Sequence, residues 1–371
     1  MIGQTMKLLA KAAVIGLSLA SCLTASASYP VVCSAFDSQG DAATVTLAEQ
    51  KLLLKITRAS GGSLPLTTSV SEAGLLRCNV FLDKDDRYAA VGLSHLGLKT
   101  GPLRIVVADL TSGKFISDFV VPSGDLGASP KLAGFFQDKP TLVVFGSGAP
   151  DHPAKAFSTA LYRVDGQQEV APETRSLPAG AGSVGNVSFV DPVHNRLWFK
   201  SSPQPCPLRS LPLVGQATGE GRVDEANAQV ACDVQSAIGY PSENSVITAT
   251  AREPNDLITS VDLATHSVHQ IALPETGGHG SYTTVESGTL SPDGQVFAVF
   301  RTLLSNSLFG DTPSRGTEVD IVQLSPLKVI GKVLLKPDAD PASLSIDHRD
   351  GTVRVLSFQD GKWSSQSLKN P

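Results

Sequence analysis

Short apolar segments, each ended by a polar turn, recur along the chain from about residue 30 to the C-terminus. Tyr88–Leu93, Thr141–Phe145 and Val353–Leu356 are examples, rich in β-branched residues and apolar at successive positions. This pattern is typical of strands that are buried on both faces, since a strand with one solvated face alternates instead. No long stretch shows a convincing helical period. We therefore predict an all-β protein.

The segments belong to a repeating unit of four strands. Its second strand begins at intervals of 49 to 57 residues, at Arg87, Thr141, Arg196, Ser245, Gln295 and Thr352. The third strand gives a second measure of the period, because Val107–Thr111 (VADLT) and Ser260–Ala264 (SVDLA) share Asp-Leu at the same positions and are 153 residues apart. A four-stranded unit of this length is typical of one blade of a β-propeller.

We predict seven blades, with six as the alternative. Six units begin between about residues 72 and 342, and the last, 342–371, has only three predicted strands. We expect an N-terminal strand to complete the last blade and close the ring. Residues 29–70 hold enough strand candidates to supply that strand and most of another blade. The 344 residues after Ala27 fit about seven units of about 50 residues.

Two phrases of the repeat resemble the YVTN-type and WD-like β-propeller repeats of secreted bacterial proteins. They are Leu290–Gly294 (LSPDG), before a strand, and Val261–Thr265 (VDLAT), before the last strand of a unit. The resemblance covers two to three blades well and the others loosely. The chain departs from the WD pattern, because Trp198 and Trp363 are its only tryptophans and no Trp-Asp pair ends a strand. The resemblance implies a propeller of the bacterial envelope, frequently with a binding or scaffold role, and implies no activity.

The N-terminus has the pattern of a secretory signal peptide, which we assign to residues 1–27. Lys7 and Lys11 precede the apolar run Ala12–Ala20, which is too short to span a bilayer. Removal of this segment leaves a single propeller domain of residues 28–371.

Two processing sites compete within this segment. Ala25–Ala27 is an Ala-x-Ala site, and its small residues and distance from the apolar run favour it. Leu19–Cys22 resembles a bacterial lipobox, in which Cys22 would carry a lipid anchor. We predict a secreted or periplasmic protein of the cell envelope, with the lipoprotein as the alternative.

The cysteine count agrees with export. Beyond the signal peptide the chain has four cysteines, Cys33, Cys78, Cys206 and Cys232. An even number in an oxidising compartment predicts disulfides. Proximity favours the pairs Cys33–Cys78 and Cys206–Cys232, and four buried free thiols are the alternative. Since no Cys-x-x-Cys or paired histidine accompanies them, we predict no metal site.

Composition narrows the classes of partner. The chain is 41% hydrophobic and 18% charged, which is a folded rather than a disordered composition. Its net charge of −5, without a basic stripe, argues against nucleic acid as a partner. No apolar run is long enough to span a membrane. We expect a monomer with no cofactor and no transmembrane span.

We expect function at the face formed by the loops between second and third strands and between blades. These loops are the long ones, and long loops on a rigid scaffold tend to carry function. The candidate ligand-binding residues there are His95, His152, Lys200, Arg252, His279 and Arg301. The three cations among them lie at or just after the second strands of consecutive blades and suggest a ligand with a carboxylate or phosphate. No residue is assigned a catalytic role.

The sequence supports two principal hypotheses. The first is an exported propeller that acts as a binding or scaffold module for a protein, peptide or glycan on its loop face. The alternative is a hydrolase similar to propeller lactonases, with His95, Arg252, His279 and Arg301 around a substrate at the central mouth. A third option is a propeller subunit of a redox complex. An enzyme requires several of these side chains to converge on one point, whereas a binding module can scatter them.

Overall fold

The strands predicted from the sequence are the dominant elements of the computed structural model. The structure describes residues 30–71, 76–95, 101–122, 124, 126–147, 156–177, 189–200, 206–215, 224–230, 236–242, 245–250, 255–262, 264–265, 267–274, 281–305, 312–336, 339–340 and 343–369. Residues 31–371 form one compact unit.

The strands fall into seven groups. In chain order they are β1 Val31–Phe36, β2 Ala42–Ala48, β3 Lys51–Thr57, β4 Ser63–Ser69; β5 Leu76–Leu82, β6 Tyr88–His95, β7 Leu103–Asp109, β8 Lys114–Val121; β9 Ala128–Phe135, β10 Thr141–Ser147, β11 Ala156–Arg163, β12 Gln168–Ser176; β13 Phe189–Asp191, β14 Arg196–Lys200, β15 Cys206–Pro212, β16 Asp224–Val230; β17 Ser236–Ser242, β18 Ser245–Thr250, β19 Leu257–Asp262, β20 Val268–Ala272; β21 Ser281–Leu290, β22 Val296–Ser305, β23 Thr312–Leu324, β24 Leu327–Leu335; and β25 Ser345–Arg349, β26 Thr352–Gln359, β27 Lys362–Lys369. A short 3-10 turn, Phe136–Asp138, connects β9 to β10.

Each group is one antiparallel sheet, and the seven sheets are the seven blades of a β-propeller. The first strands of neighbouring blades contact one another, as β1 does with β5 and β17 with β21, so the first strands lie nearest the centre of the ring. The prediction of seven blades is confirmed, and the alternative of six is wrong.

The second strands begin at or next to the residues where the repeat places them. β10, β14, β18 and β26 start at the predicted residue, and β6 and β22 start one residue later. β6 shows the expected burial, because the six residues from Tyr88 to Leu93 are all buried. A blade lies against a neighbour on each side, so its second strand has no solvated face. This burial explains why the apolar positions are continuous.

The recurring third-strand phrase is explained by a turn. The Asp109 carboxylate accepts a hydrogen bond from the N–H of Thr111 at 2.8 Å, and Asp262 accepts one from Thr265 at 2.7 Å. An aspartate that bonds the backbone two or three residues ahead stabilises a tight turn after a strand. The repeated aspartate therefore marks the turn between third and fourth strands.

The hydrophobic core is divided among the interfaces between blades. Leu54 of the first blade packs in one buried cluster with Val91 of the second. Ile321 of the sixth blade shares another cluster with Val355 of the seventh. Because each blade has two apolar faces, it is stable only with a neighbour on each side.

The first and last blades lie side by side where the ring closes, and residues 1–29, which could supply the predicted N-terminal strand, lie outside the described residues. In the part of the chain that the structure describes, the last sheet has three strands, and β1 to β4 make a complete blade of their own rather than lending a strand to it. Side-by-side bonds join the two blades instead. Ser34 Oγ donates to the carbonyl oxygen of Ser343 at 2.7 Å, and Trp363 Nε1 donates to Thr46 Oγ1 at 3.1 Å. The strand candidates predicted within residues 29–70 form the four strands of the first blade, which three antiparallel pairings join in chain order.

A disulfide joins the first two blades. Cys33 of β1 is bonded to Cys78 of β5, and both side chains are buried. The two strands are the innermost of their blades, so the bond lies close to the centre of the ring. The predicted Cys33–Cys78 pair is confirmed. For the predicted Cys206–Cys232 pair, Cys206 begins β15 but Cys232 lies outside the described residues, so that pair stays a prediction.

Gly146 in β10 shows how closely a connection packs on a blade. A Cβ atom at this position would overlap the carbonyl oxygen of Leu126, in the segment that leads into β9. We expect Gly146→Ala to lower the free energy of unfolding by about 1–3 kcal/mol, because a backbone oxygen must move to admit the methyl group. Gly124→Ala is the control, since its Cβ would enter open space. Urea unfolding of both variants is the measurement, and an equal loss in the two would contradict this explanation.

Candidate functional site

The second strands end, and the third strands begin, at one face of the ring. The connections between second and third strands span residues 96–102, 148–155, 201–205, 251–256 and 306–311 in the second to sixth blades. In an antiparallel blade they leave the sheet at the same end as the connections between blades. This end of the propeller is called the loop face below.

Three of the six predicted ligand-binding residues, His152, Arg252 and His279, lie outside the described residues. Lys200 ends β14, and its side chain is also outside the described part. His95 and Arg301 are described. The structure therefore shows the surroundings of two of the six, and the role of all six in binding stays a prediction.

His95 ends β6 at the loop face and is half-buried. The chain returns to the sheet at Gly101, where an added Cβ would lie 2.9 Å from the Cβ of His95. Glycine at this position lets the returning backbone pass against the histidine. The close approach fixes where the loop of the second blade begins and ends.

Arg301 lies in β22 beneath the loop face, where it is 1% exposed. Its Nε donates to Asp320 Oδ2 at 2.6 Å, and its Nη2 donates to Glu318 Oε1 at 2.7 Å. These two carboxylates lie on β23, the next strand of the same blade. The guanidinium is therefore held from its own blade by two ion pairs.

The neighbouring blade holds the same guanidinium. Arg301 Nη1 donates to Asp256 Oδ2 at 3.1 Å, and Nη2 donates to the carbonyl oxygen of Pro274 at 3.1 Å. Asp256 immediately precedes β19 in the fifth blade and also accepts a hydrogen bond from Thr283 at 2.6 Å. Through Asp256 and Pro274, Arg301 joins two loop-face connections of the fifth blade to the sixth blade. We call Arg301, Asp256, Glu318 and Asp320 the interblade cluster.

The interblade cluster has an excess of carboxylates. Lys332 adds a second cation, with its Nζ 2.6 Å from Glu318 Oε1. Two cations then face three carboxyl groups. Burial raises the pKa of Asp320 to about 7, the Arg301 charge opposes this shift, and the Glu318 carboxylate reinforces it. Burial by itself lowers the pKa of Arg301, but Asp320, Asp256 and Glu318 together raise it above its ordinary value.

A shared proton accounts for two buried oxygens in this cluster. Glu318 Oε2 and Asp320 Oδ1 are buried and have no hydrogen-bond donor among the described residues. When Asp320 is protonated it donates to Glu318, which satisfies both oxygens and makes the cluster neutral. The neutral form of the cluster, in which Asp320 carries the proton, is therefore the favoured one.

We expect the protein to lose stability as the pH rises from about 4 to about 7, and to lose less in Asp320→Asn. The folded protein keeps the Asp320 proton up to a pKa of about 7, whereas the unfolded chain releases it near 3.8. Between these values the unfolded state binds fewer protons, so rising pH favours unfolding. Asparagine mimics the protonated acid, because its oxygen accepts from Arg301 and its amide donates to Glu318.

The measurement is urea unfolding of both proteins across this pH range. Asp118→Asn, which replaces a carboxylate on the outer strand β8, is the control for the loss of one acidic group. A pH slope that is the same with aspartate and asparagine at position 320 would contradict the shared proton.

Two cations at the centre of the ring were missed by the sequence interpretation. Arg77 on β5 and Lys131 on β9 have exposed side chains on the innermost strands of neighbouring blades. The Lys131 ammonium lies 5.4 Å from the centre of the Phe145 ring. The Lys131 side chain reaches solvent, but many protein atoms lie around its ammonium group. The resulting desolvation lowers the pKa of Lys131, and the charge of Arg77 lowers it further.

These two cations have no ion-pair partner among the residues that the structure describes. Two like charges on adjacent inner strands repel each other, and an anion between them would relieve the repulsion. We call Arg77 and Lys131 the central cation pair. The sequence held a signal for it, because each cation is the single charged residue of its first strand.

Within the described ranges, no group of three or more histidine, cysteine, aspartate or glutamate side chains is arranged to hold a metal ion. Over the same ranges, no helix has the length and apolar character needed to cross a membrane.

Comparison with known proteins shows the architecture alone. No protein-family model matches the sequence, and no curated protein matches it significantly. A solved structure described as Kuenenia stuttgartiensis hydrazine synthase is similar to this chain with a TM-score of 0.52 and 11% sequence identity, over 94% of this chain and 98% of that chain. Likeness at so low an identity concerns the fold and carries no function. The chain is a seven-bladed β-propeller, and its membership of a YVTN-type or WD-like repeat family stays a prediction.

Proposed function

We propose that this protein is an exported binding module that takes an anionic group of a protein, peptide or glycan at its loop face. The observation that carries the proposal is the central cation pair, Arg77 and Lys131. Both side chains are exposed on innermost strands, and neither is neutralised by a described residue. A carboxylate or phosphate group is the chemistry that such a pair recognises.

The rest of the loop face supports a rigid platform. The interblade cluster ties the connection that ends at Asp256 to the sixth blade, so binding here need not order this part of the chain. Arg301 itself is enclosed by carboxylates and is 1% exposed, which favours a supporting role over contact with a ligand. The hydrolase hypothesis counts Arg301 among its substrate-contacting residues and therefore receives less support.

Export is part of the proposal. The Cys33–Cys78 disulfide supports it, because disulfides persist in oxidising compartments and are rare in the cytosol. The N-terminal signal pattern supports the same location, with lipid attachment at Cys22 as the alternative to release after Ala27.

The test is direct binding of anionic probes. We expect fluorescein-labelled oligogalacturonate or hexaglutamate to bind at low salt, and neutral dextran oligosaccharide or hexalysine not to bind. Arg77→Gln combined with Lys131→Gln should weaken binding about 10-fold or more, which is about 1.4 kcal/mol. Lys114→Gln, on the outer strand β8, is the matched control. Equal affinity of the double variant and the control variant would rule out the central cation pair as the binding site.

A further inference from the structure

Among the strands that the structure describes, none lies beside the outer edge of the last blade. Its outermost described strand is β27, which pairs with β26 on one side only. In each of the other six sheets the third strand has a fourth strand beside it. The side of β27 that no described strand covers carries a row of backbone N–H and C=O groups, which is a template for one more strand.

The first blade is exposed opposite this edge. In β3 the exposed residues alternate with buried ones, and the exposed ones are Lys51, Leu53, Lys55 and Thr57. The third strands of the second and third blades, β7 and β11, are instead buried on both faces over most of their length. Leu53 is 39% exposed, which is unusual for a leucine in the third strand of a blade.

The position of β27 explains this exposure. Trp363 at the start of β27 bonds to Thr46 of β2, so the third strand of the last blade faces the second strand of the first. Elsewhere the fourth strand of one blade contacts the third strand of the next, as β16 does with β19. A fourth strand beside β27 would cover β3 in the same way. We call the space between β27 and the exposed face of β3 the rim groove.

The rim groove is positively charged. Lys51 and Lys55 lie on its β3 side and Lys369 ends β27, and none of the three forms an ion pair with a described residue. The exposed positions of β3 and the residues of β27 include no aspartate or glutamate. The chain as a whole has a net charge of −5, so this local charge is opposite to that of the protein.

We infer that the rim groove binds an extended segment of a partner protein, which adds to β27 as the fourth strand of the last blade and carries acidic side chains towards Lys51 and Lys55. Backbone pairing with an open edge supplies affinity, and alternate side chains supply specificity. Lys51 and Lys55 are four residues apart on one face of a strand, about 13 Å. The segment should therefore carry two acidic residues four positions apart.

Other occupants fit the groove less well. A single carboxylate or phosphate would have to draw together two lysine side chains from backbone positions about 13 Å apart, which costs side-chain entropy. A second copy of this chain, paired antiparallel through β27, would bring Lys362 opposite Lys369 of the other copy, and like charges opposite each other destabilise a strand pair. The rim groove is also separate from the central cation pair, so this inference does not depend on the proposed function.

The test uses a nine-residue peptide, TVEVTVEVT, labelled with fluorescein and added to the full chain. We expect it to bind, and to slow hydrogen exchange of the β27 amides. The peptide TVKVTVKVT and a version of the first peptide with alternate backbone nitrogens methylated should not bind. Lys51→Glu combined with Lys55→Glu should weaken binding at least about 10-fold. Lys114→Glu on β8 is the control, because it makes the same charge change on the rim of another blade.

Several results would overturn the inference. One is the absence of binding at about 1 mM peptide, since a Kd of this size corresponds to a binding free energy of only about 4 kcal/mol. Another is equal binding by the lysine peptide or the methylated peptide, since either would show that charge or backbone pairing is not involved. Slow exchange of the β27 amides before peptide is added would mean that another strand of this chain or of a second copy already holds the edge. Thermal unfolding of the double variant checks that the exposed substitutions leave the fold intact.

Discussion

Arg301→Met is expected to lower the free energy of unfolding by about 3–5 kcal/mol. The substitution removes the guanidinium that holds Asp256 of the fifth blade and Glu318 and Asp320 of the sixth. Three buried carboxyl groups would then face Lys332 alone. The loss comes mainly from leaving these groups desolvated and unpaired, rather than from the attraction that disappears.

The matched control is Arg104→Met. Arg104 also forms a two-bonded pair with a carboxylate across a strand pair, but its partner, Asp118, is 35% exposed. Solvent stabilises the carboxylate left behind, so we expect a loss of about 0–1 kcal/mol. Urea unfolding at pH 7 measures both variants. Similar losses in the two would show that burial of the interblade cluster is not what makes Arg301 important.

A rescue variant separates the two contributions. Adding Glu318→Gln and Asp320→Asn to Arg301→Met replaces two of the stranded carboxyl groups by neutral amides while preserving the shapes of the side chains. We expect this triple variant to recover a large part of the lost stability, because neutral amides in the interior are less unfavourable than unpaired carboxylates. If the triple variant were less stable than Arg301→Met alone, the penalty would lie in packing and not in charge.

Replacement of Cys33 and Cys78 by alanine is the second large effect. The bond closes a loop between residues 45 positions apart. Chain-entropy arguments assign a loop of this size about 4 kcal/mol, through the freedom that the unfolded chain regains. We expect a loss of this order in the double variant, measured by urea unfolding under oxidising conditions.

A reductant is the internal control for this prediction. Dithiothreitol should destabilise the parent protein about as much as the double substitution does. Any further loss that it causes in the double variant would report a second disulfide, which is the predicted Cys206–Cys232 pair. A parent protein that unfolds identically with and without reductant would contradict a stabilising role for the Cys33–Cys78 bond.

The architecture could be predicted because its cause is local. A strand between two blades is buried on both faces, so each second strand is a continuous apolar run, and β10, β14, β18 and β26 start where the repeat places them. The turns after the third strands could be predicted for the same reason, because Asp109 and Asp262 stabilise them through hydrogen bonds to residues two or three positions ahead. The pairing of Cys33 with Cys78 was predicted from their proximity in sequence, and it forms because they lie on the innermost strands of adjacent blades.

The candidate site was less predictable, because side-chain direction depends on a shift of one residue along a strand. Arg301 was expected at the loop face, and it lies beneath that face with its guanidinium bonded to Asp256. A signal was present in Glu318 and Asp320, which lie two residues apart in β23 and so share one face. Two carboxylates on one buried face require a cation from a neighbouring strand, which is Arg301.

The seam between the last blade and the first also sets a condition on how the molecule is made. Ser34 and Ser343 meet there although they are 309 positions apart in the chain. The second apolar face of the first blade is therefore covered only after nearly the whole polypeptide has been synthesised. The Cys33–Cys78 bond needs only the first two blades, so it can hold the early part of the ring together during that interval. A chain that stops before β25 would lack this covering blade and would expose the apolar faces of the first and sixth blades, which makes such a fragment a substrate for proteases.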